Sequence, residues 1–414
     1  PIEGHGDFMA KHPSAGAGRS SGEPFVQVES GRRQVSADTL EALLDALDTP
    51  RGVIVLGPSP DPLGSGEAAL RLAAAIGCPL LADPLSGARF APSRGAHVVA
   101  GYDLLLRAPD VCAALEPSLV LRVGASPTST ALLGWLQHND GVRQIVIDGG
   151  GRWKDHGATA TEYVHADPAA TLHALAESAE ANAHEDWREL WRSAESAVRE
   201  AVHSARGEPH EGDVLATVAA AVPEGANLFV SSSMPVRDLD AFGAPRDETV
   251  RVFGNRGASG IDGIVSTAFG VAAATGAPTV CVIGDVALFH DQNGLLWSRE
   301  PDAQVVFVLI DNDGGGIFHL LPIAEHDPAF TKYFATPHGL DFRHVAEMYD
   351  IDFTDSEIEV LDSALAIGLE SGRTCIVRVR TNRETNTRRH REISDAVTEA
   401  VQKALKLPLT SRLI

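Results

Sequence analysis

Two apolar runs, each ending in a polar cluster, constrain this chain most. Val280-Cys281-Val282-Ile283-Gly284-Asp285 reads as a buried strand that ends in Gly-Asp. Val305-Val306-Phe307-Val308-Leu309-Ile310 reads as a second strand, ending in Asp311-Asn312-Asp313-Gly314-Gly315-Gly316. Asp285 and Asn312 are 27 residues apart, with room for one crossover helix over about 287–300. A parallel β-α-β unit brings both strand ends to one sheet edge, where such folds bind ligands. That edge then offers a carboxylate, an amide oxygen and glycine backbone. Hard oxygen donors of this kind suit Mg²⁺ carrying a diphosphate, with Asp285, Asn312 and the Gly314 carbonyl as its ligands. Gly-Asp and Asn-Asp-Gly are also ordinary turn formers. The spacing, the flanking strands and the triple glycine favour the metal-diphosphate reading.

A chain of 414 residues exceeds the usual single domain, and 44% hydrophobic residues are ample for buried cores. No apolar run approaches the ~20 residues of a membrane span. Residues 1–24 are polar and Gly-rich and lack the apolar core of a signal peptide. The start at Pro1 suggests a cut fragment or a further upstream part. A net charge of −22 argues against nucleic acid as a partner, which needs a basic footprint. Lys occurs only at 11, 154, 332, 403 and 406. A salt-rich cytoplasm and GC-rich coding both account for that. The four Cys are scattered, form no CxxC pair, and suggest reduced core thiols in a cytoplasmic protein.

Along the chain, residues 1–30 read as a linker. Short apolar runs then alternate with helical patterns, which predicts a doubly wound parallel sheet over 31–184. Its candidate strands are 52–56, 79–82, 119–123, 144–147 and 163–164, with helices such as 37–47 and 66–76 between them. A charged helical linker over 185–208 leads to a second α/β domain, 209–414. There the strands are expected at 227–231, 250–253, 279–283, 305–310 and 375–379.

Three more segments carry candidate chemistry. Gly254-Asn255-Arg256-Gly257-Ala258-Ser259-Gly260-Ile261-Asp262-Gly263 follows a strand and precedes a small-residue helix. Its glycines let backbone approach a ligand, and a helix N-terminus favours anions. It does not read GxGxxG, so a dinucleotide loop is not indicated. Ser231-Ser232-Ser233-Met234-Pro235-Val236-Arg237 should lie on the same sheet edge. A guanidinium there suits a carboxylate, although spacing alone favours an N-cap with a solvated Arg. Thr336-Pro337-His338-Gly339-Leu340-Asp341 reads as a turn with a structural His. The basic residues 378, 380, 383, 388, 389 and 391 read as a solvated face or a subunit contact. The sixteen His show no HExxH or other metal spacing.

Gly284-Asp285 followed by Asn312 resembles the fingerprint of the thiamine-diphosphate decarboxylase superfamily. Asn255–Gly263 with Ser266-Thr267-Ala268 resembles one family within it, the 2-succinyl-5-enolpyruvyl-6-hydroxy-3-cyclohexene-1-carboxylate synthases of menaquinone biosynthesis. Gly314–Phe318 with Leu321-Pro322, Thr336–Asp341, Arg380–Arg383 and His390-Arg391 add to the likeness. It is specific over about 225–392 and weaker before, where Trp135 and Ser126–Ser129 echo a middle domain. Thr130 departs from the pattern, which often has Lys there.

The resemblance implies a pyrimidine-binding, a middle and a diphosphate-binding domain, of which this chain matches the last two. It implies thiamine diphosphate and Mg²⁺ or Mn²⁺ as cofactors, with 2-oxoglutarate and isochorismate as substrates. The implied reaction is decarboxylation followed by 1,4-addition of the succinyl carbanion. Cofactor contacts would come from Ser259, Gly284, Asp285, Val286, Ala287, Asn312, Gly314 and Ile317. Ile261 would be the wedge that bends the cofactor, and Ser233, Arg237 and Arg256 would meet substrate carboxylates. A homodimer or homotetramer is implied. Without the pyrimidine domain and its Glu, the chain alone is expected to be inactive. The alternatives are another 2-oxo acid decarboxylase or acetolactate-synthase-like enzyme, and a non-catalytic fragment.

Overall fold

The computed structural model describes residues 10–12, 19, 21, 23, 26–29, 31–151, 153, 155–180, 184–205 and 207–408. Most of the linker expected over 1–30 lies outside the described residues. Pro1–Arg33 is one unit, in which Ala10 and Lys11 form a short helical turn, and Gln34–Ile414 is another.

Gln34–Ile414 contains two parallel six-stranded sheets flanked by helices. The first holds β1 (Gly52–Leu56), β2 (Leu80–Ala82), β3 (Val98–Val99), β4 (Leu119–Val123), β5 (Arg143–Ile147) and β6 (Glu162–Val164), in the order β3-β2-β1-β4-β5-β6. β1 and β4 are buried along their whole length, as their continuous apolar sequences require. Helix Pro62–Ile76 lies against this sheet. Asp61 caps its start by accepting from Gly64 N at 3.0 Å, Pro62 opens it, and Gly77 at φ 70° closes it.

The second sheet holds β7 (Asn227–Val230), β8 (Arg251–Phe253), β9 (Thr279–Gly284), β10 (Val306–Asp311), β11 (Asp352–Asp355) and β12 (Cys375–Arg380). Its order is β11-β12-β10-β9-β7-β8. From β7 the chain moves outward to β8, and from β9 it moves outward the other way. The topological switch point therefore lies between β7 and β9, and a crevice opens at their carboxyl ends. The loops after β7, β8, β9 and β10 all emerge on that edge.

The equivalent crevice of the first sheet is closed. Between β1 and β4, Ala125 N donates to Pro58 O at 2.8 Å. A Cβ on Gly57 would stand 1.8 Å from Ala125 O.

The two layers are fastened by buried polar contacts. Arg89, fully buried, donates to Ala82 O at 2.8 Å, Asp240 O at 2.7 Å and Asp240 Oδ1 at 2.7 Å. Tyr102 OH donates to the same Oδ1 at 2.6 Å. Helix Glu185–Ser204 buries Trp187 and Trp191 in a cluster with Val53, Leu136, Ile393, Val397 and Val401, the last three from helix Arg383–Ala404. Among the described residues no helix is long and apolar enough to cross a membrane. All four Cys are free thiols; Cys78, Cys281 and Cys375 are buried.

Three details differ from the sequence reading. The crossover expected over 287–300 is an α-helix at Asp285–Asp291 followed by a 3₁₀ segment at Gln292–Arg299. β3 and β11 were not expected; both are short and lie at sheet edges. The basic cluster near the C-terminus is not one solvated face. Arg378 is buried against Asp355 Oδ1 (2.6 Å), Asp341 Oδ1 (3.0 Å) and Asp311 Oδ2 (3.5 Å), and Arg389 is buried too.

Candidate active site

The site is built from loops whose strands deliver them to the switch-point crevice. β9 ends at Gly284, and Asp285 begins a helix while being only 2% exposed. Its carboxylate organises the neighbouring loop. Oδ2 accepts from Asn312 N at 3.1 Å and Gly314 N at 2.9 Å, and Oδ1 accepts from Val286 N at 2.6 Å. Ala287 is buried beneath.

The loop after β10 needs glycine at 314. Its φ is 139°, and a Cβ there would meet Ala335 O at 2.1 Å. Gly315 N donates to that same Ala335 O at 2.8 Å. Asp313, at φ 61°, accepts from His338 N at 2.9 Å and Gly339 N at 2.7 Å. The Thr336–Asp341 turn thus comes to the site, closer than its reading as a structural turn implied. His338 Nδ1 accepts from Leu340 N at 3.0 Å, so its ring proton sits on Nε2 and points to Asp285 Oδ2 at 3.1 Å. Asp285, Asp311 and His338 each bring one ligand atom within 4.8 Å of the others. Burial, with Asp285 alongside, raises the Asp311 carboxyl above its ordinary range.

Asn312 is held at three points. Its N–H goes to Asp285, its carbonyl accepts from Arg383 Nη1 at 2.9 Å, and its Nδ2 donates to Glu211 Oε1 at 2.7 Å. Its Oδ1 is buried with no hydrogen-bond partner among the described residues. A buried amide oxygen without a donor is costly unless a cation takes it. That oxygen, the Asp285 carboxylate and the Gly314 carbonyl form a hard donor set that fits Mg²⁺. Ile317 follows on a 3₁₀ turn, Gly316–Leu320.

The loops after β7 and β8 are tied together. Ser232 Oγ donates to Asn255 O at 3.2 Å. Ser233 holds φ 75°, unusual for a residue with a Cβ, and its side chain makes no capping bond to helix Met234–Phe242. Its hydroxyl is thereby left to other partners at a helix N-terminus, which favours anions. Arg237 Nη1 donates to Ser233 O at 2.7 Å. Arg256 is partly buried; burial and the nearby Arg237 charge pull its pKa down, and Asp83 at the end of β2 pulls the other way. Arg237 and Arg256 therefore share one electrostatic site. Ser259 is exposed in the glycine-rich loop, and Ile261 packs against the cluster that includes Ile283 and Ala287.

Glu211, Arg383 and Asp83 were missed as site neighbours. Arg383 reads in sequence as part of a solvated basic face or a subunit contact. Asp83 belongs to the other sheet. No local signal marks any of them, because their partners are distant in sequence.

Known proteins fit this geometry. Residues 19–230 match the family model for the middle domain of thiamine pyrophosphate enzymes. Residues 245–379 match the thiamine pyrophosphate enzyme C-terminal binding domain. The 2-succinyl-5-enolpyruvyl-6-hydroxy-3-cyclohexene-1-carboxylate synthase of Halobacterium salinarum is 44% identical over 407 residues, covering 96% of this chain and 69% of that protein. The synthase of the same name from Chloroflexus aurantiacus is 40% identical over 391 residues, covering 92% of this chain and 66% of the relative. The crystal structure of benzoylformate decarboxylase from Polynucleobacter necessarius shares the fold, with a TM-score of 0.62, 13% identity, and coverage of 87% of this chain and 67% of that one. The chain belongs to the 2-succinyl-5-enolpyruvyl-6-hydroxy-3-cyclohexene-1-carboxylate synthase family of thiamine-diphosphate enzymes and spans about two thirds of its relatives' length.

Proposed function

We propose that this chain carries the diphosphate-binding and middle parts of a synthase that decarboxylates 2-oxoglutarate and adds the resulting four-carbon unit to isochorismate. The observation that carries the reading is the orphaned Asn312 Oδ1 beside Asp285 at the switch point, in a chain of this family. The family relationship does not favour the acetolactate-synthase-like alternative.

In this reading Asp285, Asn312 and the Gly314 carbonyl would hold Mg²⁺ or Mn²⁺, whose charge would offset that of the diphosphate. Gly284, Val286, Ala287, Ser259 and Ile317 would contact the cofactor, and Ile261 would pack against it. When bound, thiamine diphosphate supplies the electron sink for loss of CO₂. The chain's own residues bind and orient the substrates. Both substrates are dicarboxylates, so fixed cations are required. The guanidinium groups of Arg237 and Arg256 can grip carboxylates in bidentate fashion. The Ser233 hydroxyl completes that polar wall. Asp83 balances part of this positive charge when no substrate is present.

The 414 residues alone are expected to be inactive. The described sheets correspond to the middle and diphosphate-binding parts, and the family's pyrimidine-binding part would complete the site. A homodimer or homotetramer in the cytoplasm is part of the proposal; the four free thiols suit a reducing compartment.

The test is an assay of the complete synthase with thiamine diphosphate, Mg²⁺, 2-oxoglutarate and isochorismate. Isochorismate should disappear in step with CO₂ release. CO₂ release with isochorismate untouched would overturn the acceptor assignment. Arg256→Ala should lower turnover about 10- to 100-fold, the value of a charge-assisted bond of about 1.5–3 kcal/mol. Cofactor affinity should barely change. Full turnover in that variant would make Arg256 a turn residue.

A further inference from the structure

Asn312 can offer a cation its oxygen or turn its NH₂ there, and the two orientations have nearly the same shape. Something must choose between them. In this structure the choice is made from the first turn of a distant helix. Glu211 opens helix Glu211–Ala221, which His210 and Asp213 fix through a reciprocal capping box. The Glu211 carboxylate is 1% exposed, and its own N–H donates to Asn386 Oδ1 at 3.1 Å. Oε1 accepts from Asn312 Nδ2 at 2.7 Å and from Thr381 Oγ1 at 3.1 Å. Burial and the nearby Asp238 raise the Glu211 carboxyl to about 7, but Oε1 also accepts from Thr381 Oγ1 and so faces Asn312 as an acceptor whether or not the other oxygen carries a proton; the amide nitrogen must turn to it. The oxygen is then forced to the other side, where it has no partner.

We infer that Glu211 is a positioning residue of the cation site: it turns the Asn312 amide so that Oδ1 is the atom offered to the metal. This rests on the proposed metal role of Asn312 and extends it to a residue 101 positions away. Outer partners of metal ligands act in this way, setting which atom faces the ion. Arg383, through the Asn312 carbonyl, and Asp285, through its N–H, fix the backbone. Glu211 fixes the remaining freedom of the side chain.

The experiment is a Mn²⁺ titration of the complete synthase, read by electron paramagnetic resonance with thiamine diphosphate present. Melting temperature without metal is measured alongside. Glu211→Leu should weaken Mn²⁺ binding about 10–100-fold, as outer-shell losses do. Glu211→Gln retains an acceptor oxygen and should bind close to wild type. If the leucine variant does not fold, Glu211→Thr, whose short hydroxyl cannot reach Asn312, should show the same loss. A folded Glu211→Leu or Glu211→Thr protein with wild-type Mn²⁺ affinity would overturn the inference. Asn312→Ala separates the two levels. If it loses Mn²⁺ while the Glu211 variants do not, only the positioning role falls. If it too binds Mn²⁺ normally, the metal reading falls with it.

Discussion

Asp285→Ala should abolish metal-dependent binding of thiamine diphosphate to the complete synthase. The expected loss exceeds the about 10–100-fold typical of an outer-shell change, because a charged ligand itself is removed. Asp285 has two duties, and the alanine variant fails at both. It would supply a hard oxygen to the cation, and it accepts three backbone N–H groups, from Val286, Asn312 and Gly314. Removing it leaves those donors unpaired in a nearly closed site. Asp285→Asn divides the duties. Its amide oxygen can still take the Asn312 and Gly314 N–H groups, which places NH₂ at Oδ1, facing the cation position and the Val286 N–H, so that one backbone bond is lost with the metal ligand. The asparagine variant should therefore keep a folded loop and still lose the metal. Isothermal titration of thiamine diphosphate with and without Mg²⁺ reads both. Cofactor affinity that stays metal-dependent and undiminished in Asp285→Ala would remove this residue from the cation site.

Why this residue could be found from sequence, while its supports could not, follows from distance along the chain. β9 and β10 are continuous apolar runs, and their polar ends fall within one β-α-β unit, so local pattern places Asp285 and Asn312 together. The same pattern recovers the buried strands of both sheets. It fails at β11, where Asp352-Phe353-Thr354-Asp355 carries two aspartates and lies on the sheet edge. Edge strands tolerate charge and so lose the apolar signature. It fails differently at Arg378. Alternation in Cys375–Arg380 suggests an exposed side chain, but three aspartates, from the ends of β10 and β11 and from the Thr336–Asp341 turn, gather round that guanidinium and allow its burial. Glu211 and Arg383 are of the same kind. Their partners are fixed by tertiary placement, and nothing beside them in sequence announces it. Ser233, Arg237 and Arg256 lie in segments marked from their residues, but their specific roles came through family resemblance, since a Ser before a helix and an Arg in a glycine loop are ordinary by themselves.

Arg89→Ala should be the most destabilising single change away from the site, by about 3–5 kcal/mol, the usual cost of breaking a buried ion pair. In the fold Arg89 is fully buried and joins the loop after β2 to helix Met234–Phe242. Alanine would strand the Asp240 carboxylate, leaving Tyr102 OH as its remaining side-chain donor. It would also free the Ala82 and Asp240 carbonyls and open a cavity. Arg89→Lys should recover little, because a compact ammonium cannot span the same fork of acceptors. Arg89→Met combined with Asp240→Leu should recover more than either change alone, since neither charge is then left buried. The effect should reach the site as well. Leu85, four residues before Arg89, lies 3.1 Å from where a Cβ on Gly254 would be, at the root of the Arg256 loop. Urea unfolding followed by far-ultraviolet circular dichroism gives the stability of each variant. A midpoint unchanged in Arg89→Ala would mean that the two sheets are held by their apolar contacts and that this buried pair contributes nothing to fastening them.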